Sequence, residues 1–260
     1  MIKEIDNSIS PVKELFLEIG GLSIFTVQVL RQLLRRPYEH KEMLKQAYYA
    51  GNKTLPLIAV TGFIMGLVLT LQIRPVLVDI GSESILPGMI SVSIIREIGP
   101  VIAALLCAGK IGSGYGAEIS SMKVTEQLDA MEVSGTNPLS YVVMTRVVAT
   151  TLMVPVLVLV ADAIAILGSY IAVNMNTDIS LKLFLTQAYR PLSFRDLLPA
   201  TIKTVIFGFV IGLIGSYKGY HSKRGTEAVG SAANEAVVYA SLAIFVIDRV
   251  VVQITELLYG

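Results

Sequence analysis

Long apolar runs, each about the length of a membrane crossing, are the dominant pattern along this chain. Thr54 to Ile73 holds no charged residue between Lys53 and Arg74. A second run extends from Ile85 to Gly109 with Arg96 and Glu97 in its middle. A third, Val147 to Thr177, is broken only by Asp162; a fourth, Leu197 to Tyr217, carries Lys203 near one end; a fifth, Glu235 to Leu258, carries Asp248 and Arg249. Backbone N–H and C=O groups find no water in a bilayer, so a spanning segment is a helix of about 20 apolar residues or part of a closed barrel. Barrel strands alternate polar and apolar positions. These runs are continuous, which predicts five transmembrane helices. At 1.5 Å per residue the third run would reach roughly 45 Å, too long for a perpendicular span and too short for two. It is expected to be one tilted helix, with Pro155 the place for a bend.

Ahead of the spans, Val12 to Leu34 is apolar but interrupted. Glu14 and Glu18 lie among Leu15, Phe16, Leu17 and Ile19, and Arg31, Arg35 and Arg36 follow. Acids beside the apolar core argue against a cleaved signal peptide; an amphipathic helix in the membrane surface is predicted instead. Lys and Arg concentrate before the first span, between spans two and three, and after span four. Positively charged loops stay in the cytoplasm. The N-terminus is therefore expected to be cytoplasmic and the C-terminus periplasmic, although Lys182, Arg190 and Arg195 between spans three and four weaken the bias. No internal repeat appears. One membrane domain over 1–260 is expected, with 1–46 as an N-terminal interfacial region and 47–260 as the five-span core.

Composition narrows the chemistry. The chain has 260 residues, 53% hydrophobic and 16% charged, against about 25% charged in soluble domains; neither a water-facing globule nor a disordered chain fits. A net charge of +1 leaves no basic field for nucleic acid. One cysteine, Cys107, and two distant histidines, His40 and His221, give no basis for a disulfide, a metal centre or a metal cofactor.

Two segments stand out. The stretch Gly109-Lys-Ile-Gly-Ser-Gly-Tyr-Gly116 lacks the Lys-Ser/Thr pair and preceding strand of a phosphate-binding loop. Gly114-Tyr115-Gly116 resembles part of a potassium filter but falls at the cytoplasmic end of span two. The glycines are expected to let the chain leave that span and turn tightly against neighbouring helices. Next, Val124, Leu128 and Met131 form one apolar stripe, while Glu126, Asp129 and Glu132 form an acidic one. Gly135 and Asn137-Pro138 supply stop signals. The pattern predicts a short cytoplasmic helix, either a plain connector or a coupling helix for a soluble partner. Within span two, Arg96 and Glu97 sit where charge costs a few kcal/mol each, by insertion scales, unless it faces a partner or a polar cavity. Adjacent helical residues point about 100° apart, so each needs its own partner. Interhelical pairing is the default expectation for Asp162, Asp248 and Arg249. Gly62-x-x-x-Gly66 and Gly208-x-x-x-Gly212 have the small-residue spacing that allows close helix packing, a weak pointer to a homodimer.

Together, Leu71-Gln72, the block Arg96-Glu-Ile-Gly-Pro-Val-Ile-Ala-Ala-Leu-Leu106, Ala108-Gly-Lys-Ile-Gly-Ser113 and Ala117-Glu-Ile…Met122-Lys-Val-Thr-Glu-Gln-Leu-Asp-Ala-Met131 resemble the MlaE/YrbE family. These are permease subunits of ABC transporters that work on lipids with MCE-domain proteins. The resemblance implies a homodimer of all-α, five-span subunits, each with an N-terminal interfacial helix. It also implies a cytoplasmic ATPase gripped through a coupling helix, a periplasmic MCE ring, a STAS-domain protein on the ATPase, and phospholipid between the permease chains. The implied setting is an inner membrane, and the implied role is maintenance of outer-membrane lipid asymmetry. The chain itself would be non-catalytic.

On the matching positions, Gln72, Arg96 and Glu97 would line the lipid pocket, with Leu71, Ile73, Val76 and Leu77 as acyl-chain contacts. Glu118, Met122, Val124, Glu126, Leu128, Asp129 and Met131 would form the ATPase-coupling segment. Pro75, after Arg74, departs from the better-known proteobacterial members and bears on the mouth of the cavity. Two rivals remain from the residues alone: an ion or small-solute channel built on Gly114-Tyr115-Gly116, and an intramembrane enzyme using Asp162 or Glu97.

Overall fold

A computed structural model describes residues 11–34, 38–175 and 177–259. All of its regular structure among these residues is helical. We label the helices α1 (Pro11–Leu33), α2 (His40–Asp79), α3 (Glu83–Val124), α4 (Gln127–Val133), α5 (Leu139–Asn174), α6 (Leu181–Tyr189), α7 (Phe194–Tyr220) and α8 (Thr226–Tyr259). Five of them, α2, α3, α5, α7 and α8, are long and apolar enough to cross a membrane.

The spanning helices alternate in direction, so the bundle has two ends. One holds α1, α4 and the α7–α8 connection; the other holds α6 and the α2–α3 connection. Helix α2 packs along α5, α5 on α7, α7 on α8, and the C-terminal half of α3 lies against α7 and α8. The first turns of α3 rest on α6. Small residues make the tightest contacts. A methyl on Gly62 would come within 2.7 Å of the Ala161 carbonyl oxygen, and one on Gly66 or Gly168 would overlap the facing backbone of Ala165 or Phe63. Gly208 and Gly212 face Thr150 and Val147 in the same way. Both small-residue pairs are thus consumed inside one chain, and neither points to a homodimer.

The spans are longer than their apolar cores. Span two continues as helix through the glycine-rich stretch to Val124. The expected tight turn at Gly109–Gly116 is absent. Gly215 of α7 instead packs on the Gly112 backbone, and Gly116 on Ala232 of α8; a methyl on Gly215 or on Gly116 would come within 2.7 Å of the facing carbonyl oxygen. The same helix contains wide π turns at Ile94–Ile98 and Ala108–Gly112. The first of them immediately precedes Gly99-Pro100, where proline lacks the N–H and its ring crowds the preceding turn. A third wide turn, Leu139–Met144, opens α5 just after Pro138.

Helix α1 docks through Phe25 and Val29, both buried against Val143, Val147 and Leu213. Its Glu18 is bound to Lys218 of α7, which also holds Glu235 of α8 at 2.9 Å and sits 3.7 Å above the Tyr239 ring. The face bearing Phe16, Ile19, Ile24 and Val27 is exposed.

Candidate functional site

Near the α6 end, a charged cluster sits inside the apolar bundle. Lys203 lies nine residues into α7, about 14 Å along the helix, and its side chain is only 2% exposed. Its ammonium donates to Glu97 of α3 at 2.9 Å and to Asp248 of α8 at 2.8 Å. Two carboxylates around one desolvated ammonium tie three spans together. The sequence singles out Glu97 and Asp248, and its expectation of interhelical pairing is met at Asp248. Lys203, the residue that joins them, is marked there only as a charge near a span end. A lone lysine in an apolar run is the signal that could have found it.

The other charges behave differently. Arg96 and Glu97 do have separate partners. Arg96 is half exposed and approaches Asp196, at the start of α7, no closer than 3.9 Å, which is outside hydrogen-bond distance. Among the described residues its guanidinium therefore keeps donors to spare. Asp162 does not pair as expected. It is buried on α5 against Gly99, and its Oδ1 has no hydrogen-bond partner among the described residues. A side chain on Gly99 would displace it. Arg249 is exposed on α8.

Of the residues matched to the lipid pocket, Leu71, Gln72 and Val76 lie exposed on α2, Ile73 is half-buried, and Leu77 is buried among Leu86, Ile90 and Ile94. Among the described residues no hydrogen bond or ion pair joins Gln72 to Arg96 or Glu97. The polar cluster is instead built with α7 and α8.

At the opposite end, the segment Glu118–Met131 straddles a sharp corner. The last turns of α3 carry Glu118, Met122 and Val124. Glu126 then takes a left-handed backbone conformation (φ 59°), and α4 begins at Gln127. Such a conformation costs a non-glycine residue about 1–2 kcal/mol, so tertiary contacts must hold the corner. They do. Leu128 is buried with Ile119 and Val142, and Met122, Met131, Tyr141 and Tyr220 close around them. Lys123 Nζ donates to the Tyr220 carbonyl at 2.8 Å, capping the end of α7. Leu128 and Met131, two of the three residues of the apolar stripe, therefore grip the bundle, while Glu126, Asp129, Glu132 and the 91%-exposed Val133 face outward. Asp129 reaches Arg224 of the α7–α8 connection at 3.5 Å.

Behind this corner, Arg146 of α5 is 4% exposed and bonded to Glu118 of α3 at 2.8 Å. The two line a cleft of about 400 Å3 with Glu42, Lys45, Ser121, Gln127 and Tyr141. In the sequence Arg146 is one of the basic residues between spans two and three, and nothing further marks it.

Two features speak against the rival readings. Gly114-Tyr115-Gly116 lies within helix α3, where the carbonyls accept helical hydrogen bonds and cannot line a filter. Glu97, one of the two residues offered for an intramembrane enzyme, is engaged by Lys203 at 2.9 Å.

The family model described as Permease MlaE matches residues 43–254. Over 255 residues, 98% of each chain, the sequence is 33% identical to a probable ABC transporter permease protein of Rickettsia felis. A probable ABC transporter permease protein of Synechocystis is 31% identical over 231 residues, 89% of this chain and 88% of that one. The chloroplastic protein trigalactosyldiacylglycerol 1 of Arabidopsis thaliana is 30% identical over 232 residues, covering 88% of this chain and 66% of that one. With a family match across all five apolar helices and a relative aligned nearly end to end, the chain belongs to the MlaE permease family, a family of multi-pass membrane permeases of ABC transporters.

Proposed function

We propose that this chain is the membrane subunit of a phospholipid transporter and draws its energy from a separate cytoplasmic ATPase. The observation that carries the reading is the form of the α4 corner. Its apolar side is locked to three spans, while its acidic side and Val133 are left for a partner. A mere connector has no need of a strained, anchored corner with an outward acidic face. The sequence contains no Lys-Ser/Thr phosphate-binding loop of its own. A relative named for a galactolipid supports lipid as the cargo.

In this reading the α4 end is cytoplasmic, as the excess of Lys and Arg there favours, and the membrane is the inner membrane of a two-membrane bacterium. The chain acts as a homodimer. At the α6 end it meets an MCE-domain conduit, and a STAS-domain protein joins through the ATPase. Transport between the two membranes would serve outer-membrane lipid asymmetry. Arg96 receives the headgroup, since its planar fork gives paired, charge-assisted bonds to phosphate and Asp196 does not occupy it. Glu97 anchors that stretch of α3 to Lys203. Leu71, Gln72, Ile73 and Val76 offer α2 surface to the lipid, with Leu77 packing behind them. Nucleotide-driven closure of the ATPase pushes the α4 corner and shifts the spans between two packed arrangements.

The test is charge reversal on the outward face. Glu126→Lys with Asp129→Lys should release the co-expressed ATPase while the permease remains folded in detergent. Full retention of the ATPase, with undiminished ATP turnover, would show the corner to be a passive connector.

A further inference from the structure

We infer that Arg146 is a positioning residue for coupling: it fixes the register between the end of span two and the start of span three, so that movement of the α4 corner is delivered to both. The inference rests on the reading of the chain as an ATPase-driven lipid permease.

The geometry is specific. Arg146 sits at the foot of α5, immediately after the wide turn Leu139–Met144. Its Nη1 donates at 2.9 Å to the Val142 carbonyl inside that turn. Nη2 and Nε donate to the two carboxylate oxygens of Glu118, at 2.8 and 3.4 Å. The guanidinium also stands 5.7 Å from the centre of the Tyr115 ring, one helical turn before Glu118. One side chain thus contacts its own helix backbone, a carboxylate and an aromatic ring, and leaves little guanidinium surface to solvent.

Its placement gives the contact a mechanical role. Glu118 lies two turns before the left-handed corner at Glu126. The Lys123 bond to the Tyr220 carbonyl ties the corner to α7; toward α5 it is otherwise held by apolar contacts, Leu128, Met122 and Met131 against Ile119 and Val142. Apolar contacts are non-directional and tolerate sliding, whereas a forked guanidinium–carboxylate pair accepts one orientation. Without Arg146 the corner can still bind a partner, but α3 and α5 can slip past each other when it is pushed. Glu118 is half exposed on the cleft side, so the pair lies directly beneath the proposed docking face.

The experiment uses the permease assembled with its co-expressed ATPase in vesicles of phosphatidylethanolamine and phosphatidylglycerol. Fluorescent phosphatidylethanolamine moved and ATP hydrolysed are measured on the same preparation. Arg146→Lys keeps the charge and loses the fork; it should keep the ATPase bound while the lipid moved per ATP falls about tenfold. The exchanged pair, Arg146→Glu with Glu118→Arg, should recover a clear part of that ratio. A wild-type ratio in Arg146→Lys would overturn the inference. So would a loss that merely follows loss of bound ATPase, which would make Arg146 a docking or folding residue. Failure of the underlying reading would look different, because the unsubstituted complex would then move no lipid or bind no ATPase.

Discussion

Lys203 and Arg96 lie on facing parts of the same bundle and carry the same charge, yet the structure gives them opposite surroundings. Lys203 is desolvated and saturated by Glu97 and Asp248. Removing one member of such a set leaves buried charge without compensation, at a cost of about 3–5 kcal/mol. Lys203→Met is therefore expected to lower the thermal midpoint in detergent sharply, or to abolish recovery of folded protein. Arg96, half exposed and 3.9 Å from Asp196, contributes about 0–1 kcal/mol to folding, as exposed pairs do. Arg96→Ala should leave the midpoint nearly unchanged and lower co-purified phospholipid; unchanged lipid content would remove its headgroup role. The charges in the spans were legible in the sequence, because each interrupts an apolar run. Their pairing was not, since Glu97, Lys203 and Asp248 are separated by 106 and 45 residues along the chain. Asp162 shows the same limit. Its position on a span is plain, but that its Oδ1 sits against Gly99 with no hydrogen-bond partner among the described residues follows only from how α3 and α5 meet.

At the scale of the element, glycine is the clearest case of one residue type with two uses. Gly66 lets α2 lie directly on the Ala165 backbone. Gly66→Val should force α2 from α5 and destabilise by roughly 1–3 kcal/mol, as overpacking does. Gly114 has nothing near the place a methyl would occupy, and in a helix interior alanine is favoured over glycine by about 0.5–1 kcal/mol. Gly114→Ala should therefore raise the thermal midpoint slightly and leave transport intact. Loss of transport would reopen a functional role for Gly114-Tyr115-Gly116. The apolar runs announced the spans, because continuous hydrophobicity is the signature the bilayer demands. Their lengths were less legible. Helix α2 continues for fourteen residues ahead of Thr54, where polar residues are still helical but no longer buried in lipid-length apolar sequence. The end of α3 was misplaced for a related reason. Glycine predicts a turn when read locally, while here Gly116 is glycine because α8 comes too close for anything larger, and Gly215 of α7 is glycine for the same reason against Gly112.

For the molecule as a whole, the two ends differ in chemistry. The α4 end offers an anchored acidic corner; the α6 end holds the charged cluster and Arg96. Between them the spans expose broad apolar faces, among them Val238, Leu242, Val246 and Val250 of α8. With no G-x-x-x-x-G-K-[ST] phosphate-binding motif in its sequence, the chain purified alone in phospholipid nanodiscs should hydrolyse no ATP. Addition of the partner ATPase should restore turnover. Steady ATP hydrolysis by the isolated chain would sink the division of roles.

What the sequence alone determined is what a bilayer imposes locally. Five uninterrupted apolar runs require five helices, since unpaired backbone groups cannot stand in hydrocarbon, and the corner segment announces its two faces through helical spacing. The tertiary structure decided which face does what. Leu128 and Met131 turn inward on Ile119 and Val142, Lys203 closes a three-helix charge set, and Arg146 reaches Glu118 across 28 residues of chain. Those outcomes depend on contacts between residues distant in sequence, made possible by glycine-to-backbone approaches that fix the helices within one bundle, and no local pattern encodes them.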